Sequence, residues 1–143
     1  MKKIFISAFV MIVLASCNQN QKANSTIQSE TQTTEVSAEA APVMKFDKDT
    51  YDFGKIVQGE KVSYNFTFVN TGKSPLIIKD AVATCGCTIP EPPTDPIQPG
   101  QKSKINVVFS SAGKMGLQDK VVTITANTIP SQTQIHLIGE VVK

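Results

Sequence analysis

Period-two alternation of apolar and polar residues constrains this chain more than any other feature. Val62, Tyr64, Phe66 and Phe68 share one parity; Lys61, Ser63, Asn65 and Thr67 share the other. Ile105, Val107 and Phe109 alternate in the same way with Lys104, Asn106 and Val108, and Val122, Ile124 and Ala126 with Thr123, Thr125 and Asn127. Near the C-terminus, Ile135, Leu137, Gly139 and Val141 alternate with Gln134, His136, Ile138 and Glu140. Successive side chains of a strand point to opposite faces, so these segments read as strands with one buried face. No helical i, i+3, i+4 stripe fits them better.

Turn residues separate the alternating segments. They include Gly54, Gly59, Asn70-Thr71-Gly72, Ser74-Pro75, the prolines from Pro90 to Pro99, Gly100, Gly113, Gly116 and Pro130. The spacing predicts strands over 44–47, 50–56, 61–70, 75–82, 85–89, 102–110, 118–127 and 133–142. Short strands with turn signals about every ten residues indicate an all-β chain, a single immunoglobulin-like β-sandwich of about seven strands. The expected core is Phe53, Tyr64, Phe66, Phe68, Leu76, Ile78, Ile105, Val107, Phe109, Val122, Ile124 and Leu137. The antibody-type Cys…Trp…Cys pattern is excluded, because the chain has no tryptophan and its two domain cysteines lie two positions apart.

The first seventeen residues are of another kind. Met1-Lys2-Lys3 is followed by an apolar run from Ile4 to Leu14, then Ala15-Ser16-Cys17 and a polar tract. The run is shorter than the roughly 20 residues a spanning helix needs. It reads as a signal peptide over 1–16. Leu14 to Cys17 resembles the bacterial lipobox, which implies lipidation of Cys17, palmitate-type acyl chains and a membrane anchor. Residues 18–42 carry Gln, Asn, Ser, Thr and Glu with no aromatic side chain, too little apolar surface to offset ordering. Lipidated Cys17 and this stretch form a disordered linker over 17–42. The domain is expected over 43–143. As a flexible chain the linker would reach about 25–30 Å on average.

Charge narrows the partners. Loss of Lys2 and Lys3 brings the 14 basic residues down to 12, equal to the 12 acidic ones, and none of the basic residues is arginine. Bidentate phosphate and base-edge recognition favours arginine, so nucleic acid is not an expected partner. The expected partners are the membrane, through the lipid, and an envelope protein or polymer. No acidic run follows Cys17, which makes the periplasmic face of the outer membrane the default location.

Only Thr84-Cys85-Gly86-Cys87-Thr88 concentrates chemistry. Three states are open to Cys85 and Cys87. They can form a disulfide, for which an extended strand would set the Cα atoms about 6.5–7 Å apart, at the limit of what the bond allows, while Gly86 between them could permit a tighter turn that brings them closer. They can supply two thiolates to Cu(I) or Zn(II), with His136, Met44, Met115 or Glu140 as further ligands. Or they can pack as small apolar side chains. His136 shares the parity of Gln134 and Glu140, which marks an exposed strand position. No serine occupies a nucleophile-elbow context and no phosphate loop is present, so no enzyme and no cofactor are expected. The prolines from Pro90 to Pro99 read as a rigid connection, or as a recognition surface.

Tyr51-Asp52-Phe53-Gly54-Lys55-Ile56, Phe66-x-Phe68-x-Asn70-x-Gly72, Pro75-Leu76-Ile77-Ile78, Thr84-Cys85-Gly86-Cys87-Thr88 and Ile97-Gln98-Pro99-Gly100 follow one another in an order with a precedent. Over nearly all of 45–142 this order resembles a bacterial envelope family of unknown function marked by a Cys-Gly-Cys-Thr string. That family is similar to the immunoglobulin-like domains of Hydin and major sperm protein, and its members are often lipoproteins. The resemblance implies the fold and no catalytic residue. The expected function is that of a membrane-anchored, non-catalytic binding or structural module. The alternative is a copper-binding or thiol-redox envelope protein acting through Cys85 and Cys87.

Overall fold

A computed structural model describes residues 40–143. The signal peptide, Cys17 and the linker up to residue 39 lie outside the described residues. Eight strands follow in chain order: β1 (Met44–Phe46), β2 (Thr50–Val57), β3 (Lys61–Asn70), β4 (Ile78–Ala83), β5 (Thr88–Glu91), β6 (Lys102–Ser110), β7 (Gly116–Ala126) and β8 (Gln132–Val142). They form two four-stranded sheets, ordered β1-β3-β6-β5 and β2-β8-β7-β4. All pairings are antiparallel except that of β2 with β8, which is parallel. The chain therefore changes sheets at each of the first four connections, from β1 through β5, and again between β6 and β7.

The alternating parities become the inner faces. Phe66 and Phe68 from β3, Ile105, Val107 and Phe109 from β6, Val122, Ile124 and Ala126 from β7, and Ile135, Leu137 and Val141 from β8 are all buried. Of the expected core, Phe53, Tyr64 and Ile78 are only half-buried and pack against its rim. Ile97, Ile135 and Val141, outside the expected set, belong to the core as well. Aromatic contacts join the layers. Tyr51 of β2 stacks on Tyr64 of β3 with ring centroids 3.8 Å apart, and Tyr64 meets Phe66 edge-on at 4.9 Å. Such pairs add about 0.5–1.5 kcal/mol beyond the area they bury.

Two predicted strands shift. Leu76 makes an isolated bridge to Ile97 with both backbone bonds at 2.9 Å, and β4 begins only at Ile78. Pro75 has no N–H to give a ladder, and the side chain of Asn127 takes the place of a strand there. It accepts from Ile77 N at 2.8 Å and donates to Pro75 O at 3.0 Å. The strand predicted over 85–89 is instead β5, over Thr88–Glu91. Residues 84–87 carry the chain from one sheet to the other, and a strand that stayed in the ladder of β7 could not cross the gap of about 10 Å between the layers.

Residues 40–42, assigned to the linker by composition, pack on the sandwich. Ala41 is only 4% exposed. Ser74 Oγ donates to Ala40 O, and Lys73 N donates to Ala41 O at 3.4 Å. A Cβ on Gly72 would collide with the backbone of Ala41, Pro42 and Val43, so only glycine admits this approach.

A buried polar residue governs that end of the sandwich. Asn70 is fully buried at the end of β3. Its Nδ2 donates to Ser74 O at 2.8 Å and Ile97 O at 2.9 Å; its Oδ1 accepts from Gly72 N at 3.0 Å and Val43 N at 3.3 Å. Its backbone N donates to Gln101 O, and its carbonyl accepts from Gly100 N at 2.7 Å. At the other end, Ser111 is buried, with Oγ 3.1 Å from Val57 O and 2.9 Å from Glu60 O.

Two stability measurements check this account. Phe66→Ala should cost about 3–5 kcal/mol in denaturant unfolding, because it opens a core cavity, while Thr67→Ala on the exposed face should cost well under about 1 kcal/mol. Equal costs would mean a register error. Asn70→Ala should cost at least about 3 kcal/mol, because it empties a buried side-chain site and removes four buried or part-buried hydrogen bonds to three segments, each worth about 1 kcal/mol. A cost under about 1 kcal/mol would show that these groups find other partners.

Candidate functional site

The connection between β4 and β5 is the one predicted chemical cluster that the fold assembles. The last residue of β4, Ala83, pairs with Val122 of β7, and Thr84 N donates to Val121 O at 3.0 Å. On the other sheet Thr88 pairs with Phe109 of β6, and Ser110 N donates to Cys87 O at 2.8 Å. Thr84 to Cys87 thus bridges the edges of the two sheets. Cys85 and Cys87 form a disulfide within this bridge, with Cα atoms 5.3 Å apart. That separation lies inside the ordinary range for the bond because the two residues occupy a turn, the tighter alternative to the strand predicted over 85–89. A Cβ added at Gly86 would meet nothing within 4 Å. The spacer is therefore small and exposed without being sterically compelled to be glycine.

Cys85 and Cys87 are each half-buried, and Cys87 packs against the core. Thr88 is buried to 4% exposure, and its Oγ1 lies 3.8 Å from the Cys85 sulfur and 3.9 Å from that of Cys87. Sequence reasoning treated Thr88 only as part of a string. Its inward parity on β5 was hidden by the three-residue error in placing that strand.

The other candidates lie apart. His136 sits on the outer face of the second sheet, as its parity predicted, with Nδ1 3.0 Å from Asp119 Oδ1. Glu140 of the same face pairs with Lys55 at 3.1 Å, an exposed contact worth little to stability. Met44 is on β1, at the opposite edge of its sheet from β5, and Met115 is exposed in the β6–β7 turn. Among the described residues no three His, Cys, Asp or Glu side chains converge on a point.

Each sheet also offers a solvent face. On the first, Asn106 Nδ2 donates to Ser63 Oγ at 3.1 Å and Asn65 Oδ1 at 3.0 Å, flooring a shallow groove walled by Pro92, Pro93 and Lys104. The proline connection thus contributes to a surface as well as spanning a gap. On the second, register sets Val57 beside Val142, Leu117 beside Glu140, Asp119 beside Ile138 and Val121 beside His136. Leu117 is 87% exposed and Val57 48% exposed. A diagonal of apolar side chains therefore crosses this face between charged ones.

This arrangement defines an immunoglobulin-like sandwich of the PapD type. The seventh PapD-like domain of human CEP192, an ASH domain, is similar with a TM-score of 0.58 at 9% identity, covering 93% of this chain and 98% of that one. A protein of unknown function from Porphyromonas gingivalis W83 is similar with a TM-score of 0.65 at 17% identity. That match covers 76% of this chain, which spans about half (51%) of the Porphyromonas chain. The secreted serine protease VesC of Vibrio cholerae contains a similar domain, with a TM-score of 0.53 at 11% identity over 72% of this chain and 23% of the protease. At these identities the likeness concerns the fold alone. No curated protein matches the chain by sequence. Residues 44–141 match the model of a family described as protein of unknown function, DUF1573, and the chain belongs to that family.

Because the Cys85–Cys87 bridge closes so small a ring, it removes little entropy from the unfolded chain. Reduction of the domain should lower its unfolding free energy by no more than about 2 kcal/mol. Denaturant titration with and without reductant measures this. Loss of the cooperative transition on reduction would make the bridge a structural staple.

Proposed function

We propose that this chain is a lipid-anchored envelope protein whose single sandwich domain is a non-catalytic binding module. The observation that carries the reading is the apolar diagonal on the outer face of the second sheet. Exposed apolar side chains scattered singly need no explanation, but a contiguous set aligned by register across three strands marks an interaction surface. Val57 and Val142 are direct neighbours, and Leu117, Ile138 and Val121 continue from them as diagonal neighbours, interleaved with Glu140, Asp119 and His136 and with Lys55 alongside. This mixture of apolar and charged side chains on one face suits a protein partner. It favours an envelope protein over a polymer as partner.

The anchor completes the reading. The Leu14–Cys17 sequence supports acylation of Cys17, and the polar linker supports a domain held off the membrane, free to search for its partner. The periplasmic face of the outer membrane is the proposed location. A crosslinking pull-down from envelopes, with three versions of the full chain, tests both halves. Cys17→Ser should move the protein out of the membrane fraction. Leu117→Asp should leave it there with an unchanged melting midpoint and lose the crosslinked partner. Membrane retention of the first variant overturns the anchor, and an unaltered crosslinking pattern for the second overturns the binding face.

A further inference from the structure

We infer that Cys85 and Cys87 form a thiol–disulfide exchange site, with Thr88 as the residue that stabilises its reduced state. The starting observation is the Thr88 side chain. It is nine-tenths and more buried, and among the described residues its hydroxyl has no side-chain or backbone hydrogen-bond partner except the two sulfurs at 3.8 and 3.9 Å. Disulfide sulfur is a weak acceptor, and burying a hydroxyl against it costs free energy. A thiolate is a charged acceptor and takes a much stronger hydrogen bond from the same donor. The hydroxyl is therefore poorly satisfied while the bridge is closed and well satisfied once it opens. Interactions that favour the reduced form make a disulfide more oxidising.

The rest of the turn suits the same chemistry. The bridge is half-exposed, and Gly86 leaves open space beside it. The backbone bonds of Thr84 to Val121, Thr88 to Cys85 and Ser110 to Cys87 hold the turn at both sheets without help from the sulfurs.

The co-reactant is a dithiol, carried by a second protein. One of its thiolates attacks Cys85 Sγ, because Cys87 is packed against the core. A bond forms between the incoming sulfur and Cys85, the Cys85–Cys87 bond breaks, and Cys87 leaves as a thiolate facing the Thr88 hydroxyl. The partner's second thiolate then attacks the mixed disulfide. The partner departs as a disulfide, and Cys85 becomes the second thiolate. Two electrons pass from the partner dithiol to this chain, and the partner's two protons are released to solvent or to the new thiolates.

Glutathione serves as the probe, with the full chain carrying Cys17→Ser so that only Cys85 and Cys87 react. Alkylation and mass measurement across glutathione redox buffers give the exchange equilibrium. The wild-type pair should be reduced by about 10 mM reduced glutathione. Thr88→Val keeps the shape and removes the hydroxyl; it should shift the equilibrium toward the disulfide by at least about fivefold, while Thr88→Ser stays within about twofold of wild type. In single variants, Cys85 of Cys87→Ser should alkylate several times faster than Cys87 of Cys85→Ser. A wild-type pair that stays oxidised in that buffer overturns the proposal whether or not any variant folds. So does a folded Thr88→Val chain with a wild-type equilibrium.

Discussion

One buried amide closes the top of this sandwich. Asn70 is reached by Val43 at the entry to β1, by Gly72 and Ser74 beyond β3, and by Ile97 ahead of β6. None of these segments is in a regular ladder at that point, and Val43 N, Gly72 N and Ser74 O find in Asn70 the partner that a ladder would have given. An asparagine offers two N–H donors and two carbonyl lone pairs, and here all four are used. The donors meet carbonyls and the acceptor meets N–H groups, so the amide orientation is determined by its neighbours. Leucine would fill the space and satisfy nothing. Aspartate would turn donors into acceptors against Ser74 O and Ile97 O. The close contact of residues 40–42 with Gly72 sits directly on this arrangement, and so does the bridge that brings Ile97 into the core.

The strands were legible where each covers one long, one-sided surface. β3, β6, β7 and β8 carry uninterrupted alternation, and their boundaries fall within two residues of those the sequence implies. Legibility failed where the chain leaves a sheet. Around Cys85 the residues look extended and apolar, yet the backbone must cross between layers, and period two holds no information about that crossing. Ile97 was invisible for a related reason. It lies among prolines in a connection, and only its two-bond bridge to Leu76 makes it core. Asn70 reads as an ordinary turn residue, because neither burial nor the number of bonds it makes is written in local pattern. Thr88 followed the misplaced strand. In each case the missing term is a contact between segments distant in sequence.

The site and the fold place different demands on the Cys-Gly-Cys-Thr turn. As architecture it must change sheets in four residues, and the backbone bonds at Val121 and Ser110 suffice for that. A bridge between residues so close in sequence contributes little to the unfolded-state entropy that long disulfide loops restrict. The sulfur chemistry is thus largely free of the stability of the domain. This separation lets a turn between two rigid sheets change covalent state while the sheets stay in place.

The edges of the two sheets bear on how a partner would approach. An open edge strand invites pairing with another chain, and each of the four edges here is interrupted. β1 has three residues. β5 has four and includes Pro90, which has no N–H to donate. β4 slips register between Ile78 and Asp80, with Lys79 and Asp80 both exposed. β2 bulges between Asp52 and Lys55, where the Phe53 ring lies against Gly139 so closely that a Cβ there would collide with it. An incoming strand would meet a broken ladder at every side. The broad faces have no such obstruction, and the second sheet sets Val57, Val142, Leu117, Ile138 and Val121 on one of them. Strand addition, the usual risk and the usual opportunity of a half-open sandwich, is therefore disfavoured at each edge, which leaves the side chains on a sheet face to carry the proposed recognition.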